Sequence, residues 1–156
     1  MLDTLSAALE REHREIDAGI EVFAIAGARG QEQAGPLRQA MSALRRHIFL
    51  EEVFVFPPLR DTGLVAPIFV MLREHGEIWD AMDAIEAQLN GDSGGRPSDE
   101  LCRQLLSQLE RHNSKEEAII YRQADAVLGA DMDTELRVFL AAGQMPDRWM
   151  CEQAGA

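Results

Sequence analysis

Apolar residues recur every three or four positions along most of the chain and almost nowhere alternate, so the pattern predicts helices and no strands. Leu5, Leu9, His13, Ile16, Ile20 and Phe23 form a first stripe over roughly residues 3–26. Gly27 and Gly30 are expected to end it, and Gly35-Pro36 to open the next helix, where proline suits a first turn. The second stripe is Leu37, Met41, Leu44, His47 or Ile48, Glu51 and Val55, with Pro57-Pro58 as the expected stop. A third, over roughly 65–90, carries Ile68, Met71 or Leu72, His75, Ile78 or Trp79, Met82, Ile85 and Leu89.

Gly91 to Pro97 reads as a flexible loop, and Ser98 as an N-cap with Asp99 and Glu100 in the positive first turn. The fourth stripe is Leu101, Leu105, Leu109 or His112, Glu116 and Ile119, with Gly129 as its stop. A short fifth helix over roughly 132–142 precedes a tail, 143–156, that the pattern does not place. Long amphipathic helices with short connections predict an all-α fold. The expected form is an antiparallel up-down four-helix bundle over residues 1–142 with a short fifth C-terminal helix.

The stripes contain an anomaly: histidines stand among the apolar positions. The chain has four histidines, and all four fall in an internal repeat. Arg11-Glu12-His13-Arg14-Glu15-Ile16 matches Arg73-Glu74-His75-Gly76-Glu77-Ile78. His47 with Glu51, Glu52 and Phe56 matches His112 with Glu116, Glu117 and Tyr121. Glu51 and Glu116 lie four residues after a histidine, so carboxylate and imidazole share a helix face. A core seldom holds ionised glutamate unless it is paired or bound to metal.

At about 1.5 Å per residue, all four histidines reach about mid-height of an up-down bundle, one per helix. Two imidazoles plus two bridging carboxylates then supply four ligands to each of two metals and leave open positions, which suits iron. Four satisfied core histidines that happen to repeat are the bland alternative.

Composition narrows the partners. The 156 residues carry 15 Lys and Arg against 27 Asp and Glu, a net charge of −12. That balance argues against nucleic acid and against an anionic membrane surface, since both are bound through Lys and Arg. The longest apolar stretch, Leu64 to Leu72, is far short of a bilayer span, and no signal peptide is visible. Cys102 and Cys151 are then expected to be reduced thiols in the cytoplasm.

At these residues the chain resembles the hemerythrin-like (HHE cation-binding) family, from residue 1 to about 128. The most specific piece is His47, Glu51, Glu52, Phe56 and Pro57, with a degenerate copy at His112. The resemblance implies a non-haem di-iron centre with carboxylate and oxo or hydroxo bridges. Carried over by position, His13 and His47 hold one iron and His75 and His112 the other, with Glu51 and Glu116 bridging. The oxygen carriers of the family have a second histidine four after the first on the third helix, where this chain has Trp79. It therefore looks more like the four-histidine members associated with sensing of oxygen, nitric oxide or iron. The expected role is a di-iron protein that binds or senses O2 or NO or responds to iron. The rivals are a di-iron oxidase, peroxidase or nitric-oxide reductase, with peroxide a possible substrate, and iron storage or delivery.

Several residues carry weaker readings. Asp17, four after His13, is an acceptor behind the ligands, an extra ligand or a rim carboxylate. Glu52 and Glu117 fall about 140° around an ideal helix from their histidines, which favours solvent or a surface ion pair. Tyr121 is about half a turn from the metal-facing direction, which favours ordinary packing. Met71 and Met82 read as core filler, and Cys151 as a candidate reactive thiol.

Overall fold

The computed structural model describes residues 3–26, 34–91 and 97–156 and is all-helical among them. Gly27, Gly30 and most of the loop before Pro97 lie outside the described residues. The elements are α1 (Leu5–Ala26), α2 (Ala34–Leu50), a π-helical turn (Glu51–Val55), α3 (Phe56–Asp61), α4 (Ala66–Leu89), α5 (Ser98–Lys115), a second π turn (Glu116–Ile120), α6 (Tyr121–Val127) and α7 (Ala130–Ala142). Each π turn joins its flanking helices without a break. Each also begins at the glutamate four residues after a histidine, so the internal repeat extends to the backbone.

The local stop signals differ from expectation at three places. Pro57 and Pro58 do not end the second helix, which continues to Asp61. The Phe56 N–H reaches back five residues to the Glu51 carbonyl, and the prolines follow in the first turn of α3, where a missing N–H costs least. The stop is Gly63, whose φ of 101° suits glycine. Pro97, not Ser98, takes the N-cap position of α5, and Ser98 is its first helical residue. Gly129 is the N-cap of α7, after α6 has ended at Val127.

Helix α1 packs on α2 and α5, and α4 packs on α2 and α5, closing a ring of four. The core falls into two apolar clusters. Leu5 and Leu9 of α1, Leu50 to Leu59, Ile68 to Leu72 of α4, and Ile120 to Ala124 belong to one. Ile16 to Ala24, Leu37 to Ile48 of α2, Ile78 to Ile85, and Cys102 to Leu109 of α5 belong to the other. The chain thus visits the two clusters in alternating order; His13, His75 and His112 lie between them in sequence, and His47 stands one residue before the last α2 member of its cluster, Ile48.

Residues 143–156 pack along the bundle. Trp149 sits 5.1 Å from the Phe49 ring and 5.7 Å from the Trp79 ring, and Cys151 is buried. Gly76 permits this approach: a Cβ there would stand 2.5 Å from the Gln153 carbonyl oxygen. Arg46 donates to the Leu140 and Gly143 carbonyls at 2.9 Å, placing a cation at the negative end of α7.

Candidate metal centre

The six expected ligands come together between the apolar clusters, and all six are buried. They form two groups, His13, His47, Glu51 and Glu116, and Glu51, His75, His112 and Glu116, each with its donor atoms within 4.8 Å of one another. The two glutamates belong to both. Glu51 turns Oε2 toward His47 Nε2 at 3.4 Å and Oε1 toward His75 Nε2 at 3.3 Å. Glu116 turns Oε1 toward His13 Nε2 at 3.1 Å and Oε2 toward His112 Nε2 at 3.2 Å. A carboxylate that divides its oxygens between two imidazole pairs is disposed to bridge two cations.

Behind the histidines stands a ring of four more glutamates. The Nδ1 of His13 lies 3.0 Å from Glu117, that of His47 2.8 Å from Glu12, that of His75 2.7 Å from Glu52 and that of His112 2.9 Å from Glu74. With Nδ1–H donating outward, every Nε2 is left to face the centre. Glu12 and Glu74 immediately precede His13 and His75 in the repeat but serve the histidine of the neighbouring helix. Sequence reasoning missed them, although the repeated Glu-His pair was a signal. The solvent reading for Glu52 is overturned, since its side chain is 6% exposed and bonds His75; Glu117 serves His13 from a half-buried position. Their angle was reckoned against their own helix's histidine. Their true partners are on other helices, and a wide π turn begins one residue earlier.

The electrostatics follow from burying acids and imidazoles together. Burial disfavours a charged His47, but Glu51 and Glu12 outweigh it and raise its pKa to about 10. Burial likewise opposes charge on His75 and His112, and the surrounding glutamates push both upward nonetheless. Glu116 is held well below the usual carboxylate range by His112, His13 and His75 despite its burial. The His112 and Lys115 hydrogen bonds bring Glu74 down to about 2. Without metal, protons hold these acids together.

Proton sharing is incomplete, and the remainder tests whether a cation fits. Glu51 Oε1, Glu116 Oε2 and His75 Nε2 are buried without any hydrogen-bond partner, and all three face the His75–His112 position. Three orphaned buried polar atoms at one point, each costly to leave unsatisfied and each a metal donor once deprotonated, are what a cation would satisfy. The imidazole and carboxylate donors fit iron.

Tyr121 also enters the centre, against the expectation of ordinary packing. Its Oη lies 2.8 Å from Glu51 Oε2 and 3.0 Å from Glu116 Oε1. It is also 2.9 Å from His13 Nε2 and 3.0 Å from His47 Nε2. Ideal-helix arithmetic failed here because the π turn between His112 and Tyr121 shifts the angular register. In the other half the equivalent residue is Phe56, stacked on His75 at 5.5 Å.

Other candidates lie elsewhere. Trp79 is core, 4% exposed, against Trp149 and beneath Arg45. Asp17 joins neither group. With His13, Glu21, Glu110 and Glu117 it lines a surface cavity of about 670 Å3, and burial raises its pKa. Burial, reinforced by Glu52, pushes the Cys151 thiol up to about 11, so it stays protonated and unreactive. Met71 and Met82 are buried core, as expected.

Among known proteins, the family model described as the hemerythrin HHE cation binding domain matches residues 4–124. No curated protein and no solved structure gives a significant match.

Proposed function

The chain belongs to the hemerythrin HHE cation-binding family, and from that premise we propose that it is a di-iron protein that binds or senses O2 or NO. In this reading His13 and His47 hold one iron, His75 and His112 the other, and Glu51 and Glu116 bridge them. The observation that carries it is the division of both glutamates' oxygens between two histidine pairs. The scaffold is an antiparallel up-down four-helix bundle over residues 1–142. The chain's alternation between two core clusters and the ring of helix neighbours support it.

Bound iron supplies a redox-active Lewis acid able to take up a diatomic ligand. The chain's residues prepare that chemistry. Glu12, Glu52, Glu74 and Glu117 hold the imidazoles with Nε2 inward and increase their donor strength. Glu51 and Glu116, both fully buried, neutralise positive charge away from bulk water. The apolar clusters on both sides exclude bulk solvent.

A second reading, an enzyme acting on peroxide or O2, draws support from the polar cavity that reaches His13. Iron reconstitution with elemental analysis tests the shared premise, and two ions per chain are expected. Anaerobic reduction followed by air then separates the readings. A reversible spectral change supports binding, whereas irreversible oxidation with consumption of a reductant supports catalysis.

A further inference from the structure

The two metal positions are built by a repeat, yet the atoms around them are not equivalent. At the His75–His112 position the aromatic residue nine after the second-helix histidine is Phe56, which has no donor atom. At the His13–His47 position the equivalent residue, nine after His112, is Tyr121, whose oxygen is in hydrogen-bonding distance of all four inner donors.

Those contacts exceed what a hydroxyl can satisfy. A phenol has one hydrogen to give, and here it faces two carboxylate oxygens and two Nε2 atoms. The outer glutamates Glu117 and Glu12 already engage the Nδ1 atoms of His13 and His47, so the Nε2 atoms are the ring nitrogens left to face Oη. Once a cation displaces the protons among them, five lone-pair carriers converge.

Their spacing has a simple meaning. Donors about 2.1 Å from one centre and at right angles to one another stand about 3.0 Å apart. Tyr121 Oη is 2.8 to 3.0 Å from its four neighbours. Among those neighbours the separations are 3.0 Å for His13–His47, 3.1 Å for His13–Glu116 and 3.4 Å for His47–Glu51. Seven of the eight edges of a square pyramid with Oη at its apex, five corners of an octahedron, thus lie within about 0.4 Å of that length.

We infer that Tyr121 is a direct ligand of the metal held by His13 and His47, giving that position a phenolate the other lacks. The inference rests on the di-iron reading and deepens it. On coordination the phenolic proton leaves to solvent and the oxygen lone pair binds the cation, with no change in oxidation state. The ion held by His13 and His47 then has five protein donors, and its partner four.

The sequence makes the test unambiguous, because Tyr121 is the only tyrosine of the chain. The ferric, iron-reconstituted full-length protein is examined by visible absorption and by resonance Raman spectroscopy within the absorption band, with iron counted on the same sample. The expected result is a phenolate-to-iron charge-transfer band with enhanced tyrosinate ring vibrations. Tyr121→Phe, which installs the residue the other half already carries, should abolish both. Protein that holds two irons and shows no tyrosinate vibrations overturns the ligand assignment and leaves the di-iron reading standing. Tyrosinate vibrations with one iron per chain uphold the ligand and overturn the dinuclear reading. Failure to take up any iron overturns both.

Discussion

Replacing Glu52 by Gln tests whether the outer carboxylates do more than fill space. Glu52 Oε2 accepts from the His75 Nδ1–H at 2.7 Å, and its Oε1 accepts from the Glu152 backbone N–H at 2.9 Å. Its side chain is 6% exposed, so water cannot substitute. Gln is nearly isosteric but has one acceptor oxygen, so one of the two donors would meet an amide NH2. The change also removes the negative charge behind His75. Loss of such a partner weakens metal affinity by about 10–100-fold, or roughly 1.4–2.8 kcal/mol. The loss should fall on the His75–His112 position, because Glu52 touches neither His13 nor His47. Titration of the metal-free protein with Fe(II) against a competing chelator, without oxygen, reads the two affinities, and wild type and Glu52→Gln should differ in one step only. Glu117→Gln, on the more exposed partner of His13, should weaken the opposite step by less. Unchanged affinity in Glu52→Gln, or equal weakening of both steps, would refute the reasoning.

Trp79→His should lower stability by about 3–5 kcal/mol, as large aromatic deletions do, and leave the iron spectra unchanged, since Trp79 faces Trp149 and Arg45; an altered spectrum would place residue 79 at the metal. Gly76→Ala should destabilise the fold by about 1–3 kcal/mol in urea unfolding and loosen the tail, because the new Cβ meets the Gln153 backbone. A neutral effect would mean the tail does not hold that position in solution. His47 is raised from 6.5 to about 10 in the metal-free fold, so its stabilisation is complete below pH 6.5 and fades as the pH rises toward 10. Metal displaces the same protons, so the gain in Tm on metal loading should increase across that window, and a constant gain would contradict it.

The helices and the six inner residues were legible because they rest on period and repetition. An imidazole on an apolar stripe needs a partner, and a glutamate four residues on shares its face. What escaped depended on two facts that an ideal helix conceals. The first is the π turn at Glu51 and Glu116, which redirects everything after it and brings Tyr121 inward. The second is that the outer glutamates act between helices, so angles measured along one helix say nothing about them. The tail was unreadable for another reason. Its anchors are single residues, Trp149 and Cys151, that make no stripe.

The repeat explains how two groups of metal-binding donors arise from one structural unit, but the departures from symmetry explain how its halves come to differ. At the His75 end, Phe56 stacks on the imidazole, and the tail closes over Glu52 through the Glu152 N–H. At the His13 end, Tyr121 supplies an oxygen, and a cavity of about 670 Å3 reaches His13 and Glu117 from the surface. A position walled by an aromatic ring and covered by the tail suits holding an ion in place, because its ligands are shielded from displacement. A position with an anionic oxygen donor and an opening stabilises the oxidised metal and admits an exogenous ligand. Both differences point the same way, so on the di-iron reading exchange of a small molecule is expected on the His13–His47 side. Bulky substitution in the cavity wall, such as Ser114→Trp, should therefore slow ligand entry in stopped-flow mixing while leaving iron content at the wild-type level. Entry at an unchanged rate would move the route away from this cavity.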